Sequence, residues 1–445
     1  MNQKKMKEIC GKILGWTSAG AAEVRIASYQ EGLTRFGENK ITQSVQELID
    51  SVSFTARIGK RIGSAETTSL DDTSLKRIVE HAETSAKAAV PDKELLPFVR
   101  MHKYNTGQGS VKRTEKAGPD FRADQVGKAI RAARKKRLTT AGVYSTSVAR
   151  IAIANTSGLF VTHASSNATM SVTMMTKDSA GWASESNRDA AKIPADGIIS
   201  TAMDKALMSR KPKDIKPGTY TVVLEPDAVS NLTLFLAWLG FNGLALYEKR
   251  SCYSGMQGKK VASPMVTLVD DAFHPLQSGM PFDWEGMPRS RVTLIQKGKF
   301  TDGVYDRGTA KKAKKNPTGH GLPQPNTEGA FPRNMVLEPG NASLEQMIES
   351  VDRGILVTQF HYTNVINPKK LDITGMTRNG TFLIEKGKVK HPIKNLRFTQ
   401  SVPQALKNVV MVGKDLKNAS SLFGGGFVVP ALMIKDFNFS SGTDF

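Results

Sequence analysis

The chain has 445 residues, more than one hydrophobic core usually supports, so a typical domain size of about 150 residues predicts two or three domains. Its apolar content of 39% and charged content of 23% are ordinary for a soluble globular protein. Two cysteines, Cys10 and Cys252, exclude a disulfide framework and a thiolate metal cage. The first residues contain lysines but no apolar signal-peptide core, so we expect a cytoplasmic protein.

The net charge of +21 is concentrated in two windows. Residues 101–150 carry 12 basic and 3 acidic side chains, and residues 351–400 carry 9 basic and 3 acidic ones. Such clusters indicate a surface for an anionic partner, either nucleic acid or an acidic peptide, although a solvated basic face is the commoner explanation. Few aromatic side chains accompany the first window, which does not favour single-stranded nucleic acid.

Residues 1–211 have the pattern of one α+β domain with a mixed sheet and flanking helices. Alternating β-branched and aromatic residues predict strands over residues 21–36 and 51–68, and the second of these contains a hairpin turn at Gly59-Lys60. Apolar residues at helical spacing predict four helices. These helices lie at the start of the chain and over residues 71–89, 122–137 and 194–209.

Pro212 and Pro217 mark a linker over residues 212–218. Beyond it, residues 219–445 are rich in strands and turns and predict a barrel-like domain with few helices. Asn379-Gly380 predicts a hairpin with a type I′ turn, because both residues tolerate positive φ. The lysine-rich residues 311–321 are typical of a mobile loop.

The most apolar stretch, Leu232–Tyr247, contains no charged residue. Its solid apolar part ends at Leu239, which is too short to span a membrane. A helix that is apolar on all sides is typical of a protein core. We therefore predict a buried helix.

Residues that could carry chemistry are few. No two histidines have the spacing of a zinc-protease helix. Asp270, Asp271 and His274 could begin a metal site, but such a site would need further ligands, and turn or surface roles are commoner. Cys252 lies beside two cations but has no neighbouring base, so a buried thiol is favoured over a nucleophile. The glycines at 424–426 lack the Lys-Ser/Thr of a phosphate loop and indicate a flexible loop or a close backbone approach.

Five stretches resemble the TldD/PmbA family, whose members were once described as modulators of DNA gyrase. The resemblance runs in order over nearly the whole chain. The stretches are GLTRFGENKITQSVQE (32–47), IGSAETTSLDDTSLKRIVEHA (62–82), SGMQGKKVASPMVTLVDD (254–271), LPQPNTEGAFPRNMVLEPG (322–340) and the long segment from GILVTQF to NVVMVG (354–413).

This resemblance implies an N-terminal α+β domain, a C-terminal strand-rich domain, a dimer, and a link to proteolysis of unfolded or leader peptides. In the family, a TldD-type subunit carries zinc on a His-Glu-x-x-x-His helix with a later cysteine, and a TldE/PmbA-type subunit without these ligands pairs with it. Here the corresponding segment, residues 227–248, contains no histidine, and no cysteine follows Cys252. The resemblance therefore implies the metal-free branch, with no catalytic, cofactor-binding or metal-binding residue in this chain and zinc in a TldD-type partner.

The leading hypothesis is a subunit that binds extended peptide and completes a chamber, while the partner hydrolyses the peptide. The strand predicted over residues 354–365 could pair with that peptide through main-chain hydrogen bonds, with Tyr362, Asn364 and Arg378 as polar anchors. Ordinary strand and turn roles for these three residues are an equal alternative. Two rival hypotheses remain: a homodimeric peptide- or nucleic-acid-binding protein, and an enzyme that uses Cys252 or the Asp271/His274 pair.

Overall fold

The computed structural model describes residues 1–420 and 426–443, so Gly424 and Gly425 of the glycine run lie outside the described residues. The described helices are α1 (Gln3–Trp16), α2 (Asp72–Ala88), α3 (Lys112–Glu115), α4 (Pro119–Lys135), α5 (Ala195–Met208), α6 (Pro226–Phe235), α7 (Gly243–Tyr247), α8 (Arg307–Ala313), α9 (Leu344–Glu349) and α10 (Val402–Lys407), with a 3-10 turn at Ala190–Lys192 and a π-helical turn at Leu236–Gly240.

Nineteen strands lie in the described residues and form three sheets. They are β1 (Ala21–Gly37), β2 (Lys40–Ile58), β3 (Arg61–Thr67), β4 (Thr139–Asn155), β5 (Phe160–Met175), β6 (Ala180–Asn187), β7 (Gly218–Leu224), β8 (Leu268–Asp270), β9 (Val292–Gln296), β10 (Lys299–Phe300), β11 (Met335–Leu337), β12 (Arg353–Asn367), β13 (Asp372–Glu385), β14 (Lys388–Pro392), β15 (Leu396–Ser401), β16 (Val409–Val412), β17 (Lys417–Ser420), β18 (Gly426–Val429) and β19 (Leu432–Gly442).

The first sheet has the order β3-β2-β1-β4-β5-β6, and each of its neighbouring strands is antiparallel. The expected mixed sheet is therefore wrong in this detail. The reason is that β1–β3 and β4–β6 are two runs of hairpins, and antiparallel neighbours can be joined by such short turns. The hairpin turn predicted at Gly59-Lys60 joins β2 to β3, which confirms that prediction.

Four helices cover one face of the first sheet. α1 and α2 pack on one half of that face, and α4 and α5 pack on the other half. The predicted inward residues of α4, including Val126 and Ala133, are buried, because residues three and four apart share one side of a helix. The opposite face of the sheet has no helix on it in the described residues. Its part in β1, β4, β5 and β6 faces the second half of the chain, whereas residues 40–50 of β2 are mostly exposed.

The second half of the chain contains a closed barrel. Strands β12, β7, β19, β15 and β13 pair in that order, and β13 pairs back to β12 and so closes the ring. The remaining sheet has the order β10-β9-β8-β11-β18-β17 and packs against the same large core. The α+β class and the barrel-like C-terminal region are thereby confirmed.

The hairpin predicted at Asn379-Gly380 is wrong. Both residues have positive φ, as expected, but they form a bulge inside β13, where the pairing with β12 shifts between Val357 and Gln359. The turn lies instead at Lys386-Gly387, where φ is 51° and 72°. A bulge and a type I′ turn use the same residues, so the local sequence could not separate them.

The apolar stretch is helical but not one continuous helix. α6 runs into the π-helical turn, and the chain breaks at Asn242, whose side chain accepts hydrogen bonds from the N–H groups of Leu244 and Ala245 and caps α7. Most of its side chains are buried in the large core, but Trp238 is 45% exposed and Tyr247 is 52% exposed. The prediction of a helix buried on all sides is therefore correct only up to Ala237.

Of the lysine-rich residues 311–321, the first three lie in α8 and residues 314–320 follow it as a loop. His320, near the end of this segment, is only 3% exposed, and the mobility expected for the segment stays a prediction. Within the described residues, no helix is long and apolar enough to cross a membrane.

Candidate functional site

A cavity of about 540 Å³ lies between the uncovered face of the first sheet and segments of the second half of the chain. We call it the central cavity. The sheet contributes short polar side chains to its wall, and the opposite wall is more varied. The sheet wall includes Ser145 and Ser147 of β4, Ser165, Asn167 and Thr169 of β5, and Ser186 of β6, and the opposite wall includes Phe282, Asp283, Arg289, His320, Arg333, Asn334 and Asn418.

Strand alternation produces the polar wall. In β4, Tyr144 and Val148 point towards the helices and are buried, whereas Ser145 and Ser147 point to the cavity. Serine and threonine hydroxyls can each donate and accept hydrogen bonds. The wall can therefore bind main-chain amides of an extended ligand without selecting its side chains.

The floor of the central cavity is a buried hydrogen-bond network around Asp270. Arg289 Nη2 donates to Asp270 Oδ1 at 2.6 Å, and His320 Nε2 lies 2.8 Å from the same oxygen. The N–H of Asn334 donates to Asp270 Oδ2 at 2.8 Å. Burial alone would raise the pKa of Asp270, but Arg289 and His320 outweigh burial and hold that pKa at about 2. Asp270 is therefore ionised at neutral pH.

His320 does not have the surroundings of a catalytic base. Burial and the nearby Arg289 cation lower its pKa, so its ring is neutral at pH 7. Its Nδ1 lies 2.9 Å from the hydroxyl of Thr318, and that hydroxyl also accepts a hydrogen bond from the N–H of Tyr305. A nucleophile needs a base and an open path to substrate. The fully buried network fixes the floor of the cavity instead.

A second, smaller cavity of about 440 Å³ contains buried carboxylates. Burial raises the pKa of Glu23 to about 7, and Arg25 opposes this only in part. Burial and the adjacent Asp283 raise the pKa of Glu285 to about 8. Glu285 lies 3.9 Å from the Arg307 guanidinium. These carboxylates do not form a metal-ligand set: in residues 1–420 and 426–443, no group of three or more His, Cys, Asp or Glu side chains could hold a metal ion.

An ion cluster surrounds the start of α6. Lys417 Nζ lies 2.6 Å from Asp227 Oδ2 and 3.9 Å from Glu185 Oε1. Lys205 Nζ lies 2.6 Å from Glu225 Oε2. Burial raises the pKa of Asp227, and the adjacent Lys417 cation opposes this only in part. The only carboxylate within α6 is thus already neutralised by a lysine.

The α6–α7 segment does not fit a zinc ion. Zinc in proteins is bound by His nitrogen, Cys sulfur or a free carboxylate. Residues 228–247 contain none of these side chains, and Asp227 is occupied by Lys417. We therefore derive no catalytic step through a metal on this segment.

The three predicted peptide anchors lie on the outer part of β12 and β13. Tyr362 is 77% exposed with φ of 49°, and Asn364 and Arg378 are exposed as well. Arg378 pairs across the strands with Gln359, and the side chain of Asn364 accepts a hydrogen bond from the N–H of Val365. None of the three lines the central cavity. Their role in peptide binding stays a prediction.

The other candidate residues from the sequence lie in surroundings that do not activate them. Burial raises the pKa of Cys252 to about 11, so this thiol is protonated at neutral pH. Asp271 Oδ1 accepts from the N–H of Phe273, and His274 Nδ1 accepts from the N–H of Leu276. These local bonds are typical of a turn.

Sequence reasoning missed the floor residues of the central cavity. The sequence predicts a mobile loop around His320, and it does not link Arg289 with Asp270, because the two lie in separate segments. One signal was present: Arg333 and Asn334 fall within the family-like stretch over residues 322–340.

Comparisons with known proteins agree with the geometry. The family described as "PmbA/TldA metallopeptidase C-terminal domain" matches residues 217–441, and the one described as "PmbA/TldA metallopeptidase central domain" matches residues 112–210. The structure of TldE from Thermococcus kodakarensis is similar, with a TM-score of 0.88 and 24% identity over 97% of this chain and 99% of that chain. At this identity, the likeness shows the fold.

Two curated relatives have printed names that refer to metalloproteases. "Metalloprotease PmbA" of Escherichia coli O157:H7 is 23% identical over 420 residues, covering 90% of this chain and 88% of the relative. "Metalloprotease TldD homolog" of Buchnera aphidicola subsp. Schizaphis graminum is 30% identical over 219 residues, covering 48% of this chain and 44% of the relative. This second match thus spans less than half of that relative's length. With both family descriptions matched in order along residues 112–441, the chain belongs to the PmbA/TldD family.

Proposed function

We propose that this chain is the metal-free subunit of a heterodimeric metalloprotease. It binds unfolded or leader peptides in extended form and helps to enclose them, while a TldD-type zinc subunit hydrolyses them. One observation carries the proposal: the α6–α7 segment, where the resemblance implies a zinc helix in the catalytic branch, has apolar side chains and no free ligand for zinc. The low cysteine content supports a cytoplasmic location for the complex.

The central cavity supports the peptide-binding part of this proposal. Its hydroxyl-lined wall suits the main chain of an extended peptide, because main-chain groups are the same in every sequence. β12 offers a second place for a peptide. Its pairing with β7 stops at Val357, so in the described residues the edge of 359–367 away from β13 has no strand partner. A peptide could add there as a strand, beside Tyr362 and Asn364.

The experiment separates binding from hydrolysis. The purified chain, supplied with zinc, is expected to bind an unfolded peptide without cleaving it. A TldD-type subunit added in equal amount is expected to form a heterodimer on size-exclusion chromatography and to cleave the peptide. Chelator-sensitive cleavage by the purified chain alone would contradict the proposal.

A cavity-filling variant tests where the peptide binds. Ser147→Trp places a large ring in the central cavity and is expected to weaken peptide binding by at least about tenfold, or about 1.4 kcal/mol. Ser200→Trp adds the same ring on the exposed side of α5 and is the matched control. Equal affinities of the two variants for the peptide would show that the peptide does not bind in the central cavity.

The alternative is a homodimeric peptide- or nucleic-acid-binding protein without a protease partner. It is supported by the basic outer face of α4, where Arg131, Arg134 and Lys135 are exposed. Binding to phosphates would fall steeply as salt rises, because each neutralised phosphate releases counterions. DNA binding with a Kd in the tens-of-nanomolar range that weakens steeply in a salt titration, measured without any TldD-type partner, would favour this alternative.

A further inference from the structure

Arg333 lies at the junction of two cavities. It lines the central cavity and also a cavity of about 620 Å³ beside α7. We call this cavity of about 620 Å³ the α7 cavity. Its lining also includes the apolar side chains of Leu239, Ala245 and Leu322. A ligand in the central cavity could therefore reach Arg333 and extend an apolar group past it.

Arg333 has no ion-pair partner in the described part of the chain. No carboxylate oxygen there lies within 4.0 Å of its nitrogens. It also makes no hydrogen bond to a described residue. Burial lowers its pKa, and the nearby Arg289 cation lowers it further. An arginine with its pKa lowered in this way is still a cation at neutral pH.

The neighbouring charged groups cannot readily neutralise Arg333. Asp270 attracts it, but the two oxygens of Asp270 already accept hydrogen bonds from Arg289, His320 and the N–H of Asn334. Asp283 accepts from the N–H groups of residues 285, 287 and 321. Tyr29 carries only a neutral phenol at pH 7, since a phenol ordinarily ionises near pH 10 and burial raises the pKa of Tyr29 further. Glu31 lines the same cavity, but its side chain is exposed to water.

A half-buried cation without a counter-charge is costly unless a ligand supplies that charge. The planar guanidinium matches a carboxylate especially well, because two parallel N–H···O bonds form at once. The hydroxyl wall opposite Arg333 suits a main chain rather than a compact ion. The shape and chemistry of the cavity thus favour a carboxylate attached to an extended peptide.

We propose that Arg333 binds a carboxylate of the extended peptide, either the C-terminal carboxylate or an acidic side chain, at the junction of the two cavities. The adjacent apolar side chain of the peptide then enters the α7 cavity. This inference rests on the proposed function, since it names the feature of the peptide that the same cavity selects.

The test uses three peptides of one unstructured sequence. The first has a free C-terminal carboxylate and no acidic residue, the second is its C-terminal amide, and the third is the amide with one internal glutamate. Fluorescence anisotropy with the full chain measures each affinity. We expect the first or the third peptide to bind at least about tenfold more tightly than the second, and the one that does identifies the source of the carboxylate.

Two variants and a control assign this preference to Arg333. Arg333→Met is expected to abolish the preference, and Arg333→Lys is expected to retain part of it. Arg353→Met removes an exposed arginine that pairs with Glu385 outside both cavities and is expected to change nothing. A preference that survives Arg333→Met would overturn the inference.

The outcomes distinguish this inference from the function on which it rests. Equal binding of all three peptides overturns the role of Arg333 and leaves peptide binding intact. No binding of any peptide overturns both. Thermal unfolding without peptide is a further check: Arg333→Met should be at least as stable as the natural chain, because an unpaired cation is removed. A clear loss of stability would show that Arg333 has a structural partner instead and would also contradict the inference.

Discussion

At the scale of single residues, the unusual feature is the number of buried carboxylates with different protonation states. Asp270 is ionised because Arg289 touches it, whereas Glu285 is held by burial and by Asp283 in its neutral form. The pKa values of these two carboxyl groups thus differ because the groups around them differ. The sequence shows the acids, but the sign of each pKa shift depends on contacts between distant segments.

This leads to a prediction for pH dependence. The pKa of Glu285 is raised from its ordinary value of 4.5 to about 8, so the folded state holds this proton more tightly than the unfolded state. The associated stability is fully present below about pH 4.5 and is lost as the pH rises through about 8. Glu285→Gln should remove this loss. The free energy of unfolding of the variant, relative to that of the natural chain, should therefore be about 1–3 kcal/mol higher at pH 9 than at pH 4.5.

Urea denaturation from pH 4.5 to 9 measures the effect. Glu47→Gln, at an exposed position of β2, is the control and should keep the pH slope of the natural chain. An unchanged slope in Glu285→Gln would show that Glu285 is ionised in the folded state.

At the scale of elements, the β12–β13 pair shows how one local signal can have two outcomes. Asn379 and Gly380 have the expected positive φ, but β13 continues through them because β15 and the rest of β12 hold its two ends in the barrel. The turn residues therefore became a bulge. A similar conflict divides the apolar stretch, where the cap at Asn242 starts a new helix instead of extending α6.

The bulge gives a prediction for Gly380→Ala. Gly380 has φ of 127°, and a Cβ at this position would lie 2.6 Å from Thr358 Oγ1. Strain and this clash should cost about 1–3 kcal/mol of unfolding free energy. Gly109→Ala is the matched control, because its φ is not in the left-handed region and nothing lies within 4 Å of the added Cβ. If the two variants were equally stable in chemical denaturation, the bulge would not impose the predicted loss of unfolding free energy.

At the scale of the whole molecule, a few buried ion pairs join the two halves of the chain. Lys417 of β17 lies between Glu185 of β6 and Asp227 of α6 and also over the ring of Trp182. Lys205 of α5 pairs with Glu225, directly before α6. The first sheet is therefore fixed to the segment where the family resemblance implies a zinc helix in the catalytic branch. Ser186 and Asn418, the sequence neighbours of Glu185 and Lys417, line the central cavity, so this attachment lies at its edge.

Lys417→Met should therefore destabilise the whole chain. It leaves Asp227 buried without its counter-charge, and breaking one partner of a buried pair costs about 3–5 kcal/mol. Lys390→Met, at an exposed position of β14, is the control and should stay within about 0.5 kcal/mol of the natural chain. Calorimetry measures both; a loss below about 1 kcal/mol in Lys417→Met would contradict the prediction.

The candidate site was the least predictable part of the molecule. Alternation along β4 identifies Ser145 and Ser147 as one face of a strand, but it cannot say what lies opposite them. His320 looked like part of a charged loop, since its partner Asp270 lies 50 residues earlier in the sequence. The peptide anchors Tyr362, Asn364 and Arg378 are predicted beside the strand over residues 354–365, and the structure places them away from the central cavity.

The sequence by itself determined the family, the α+β class, the hairpins and helices with strong local patterns, and the lack of zinc ligands between residues 228 and 247. These properties depend on residue type and short-range spacing. The tertiary structure alone decided that the first sheet is wholly antiparallel, that Asn379-Gly380 is a bulge, and that Arg333 faces two cavities without a described partner. Those outcomes depend on contacts between distant segments, where packing and burial, not local preference, set the lowest free energy.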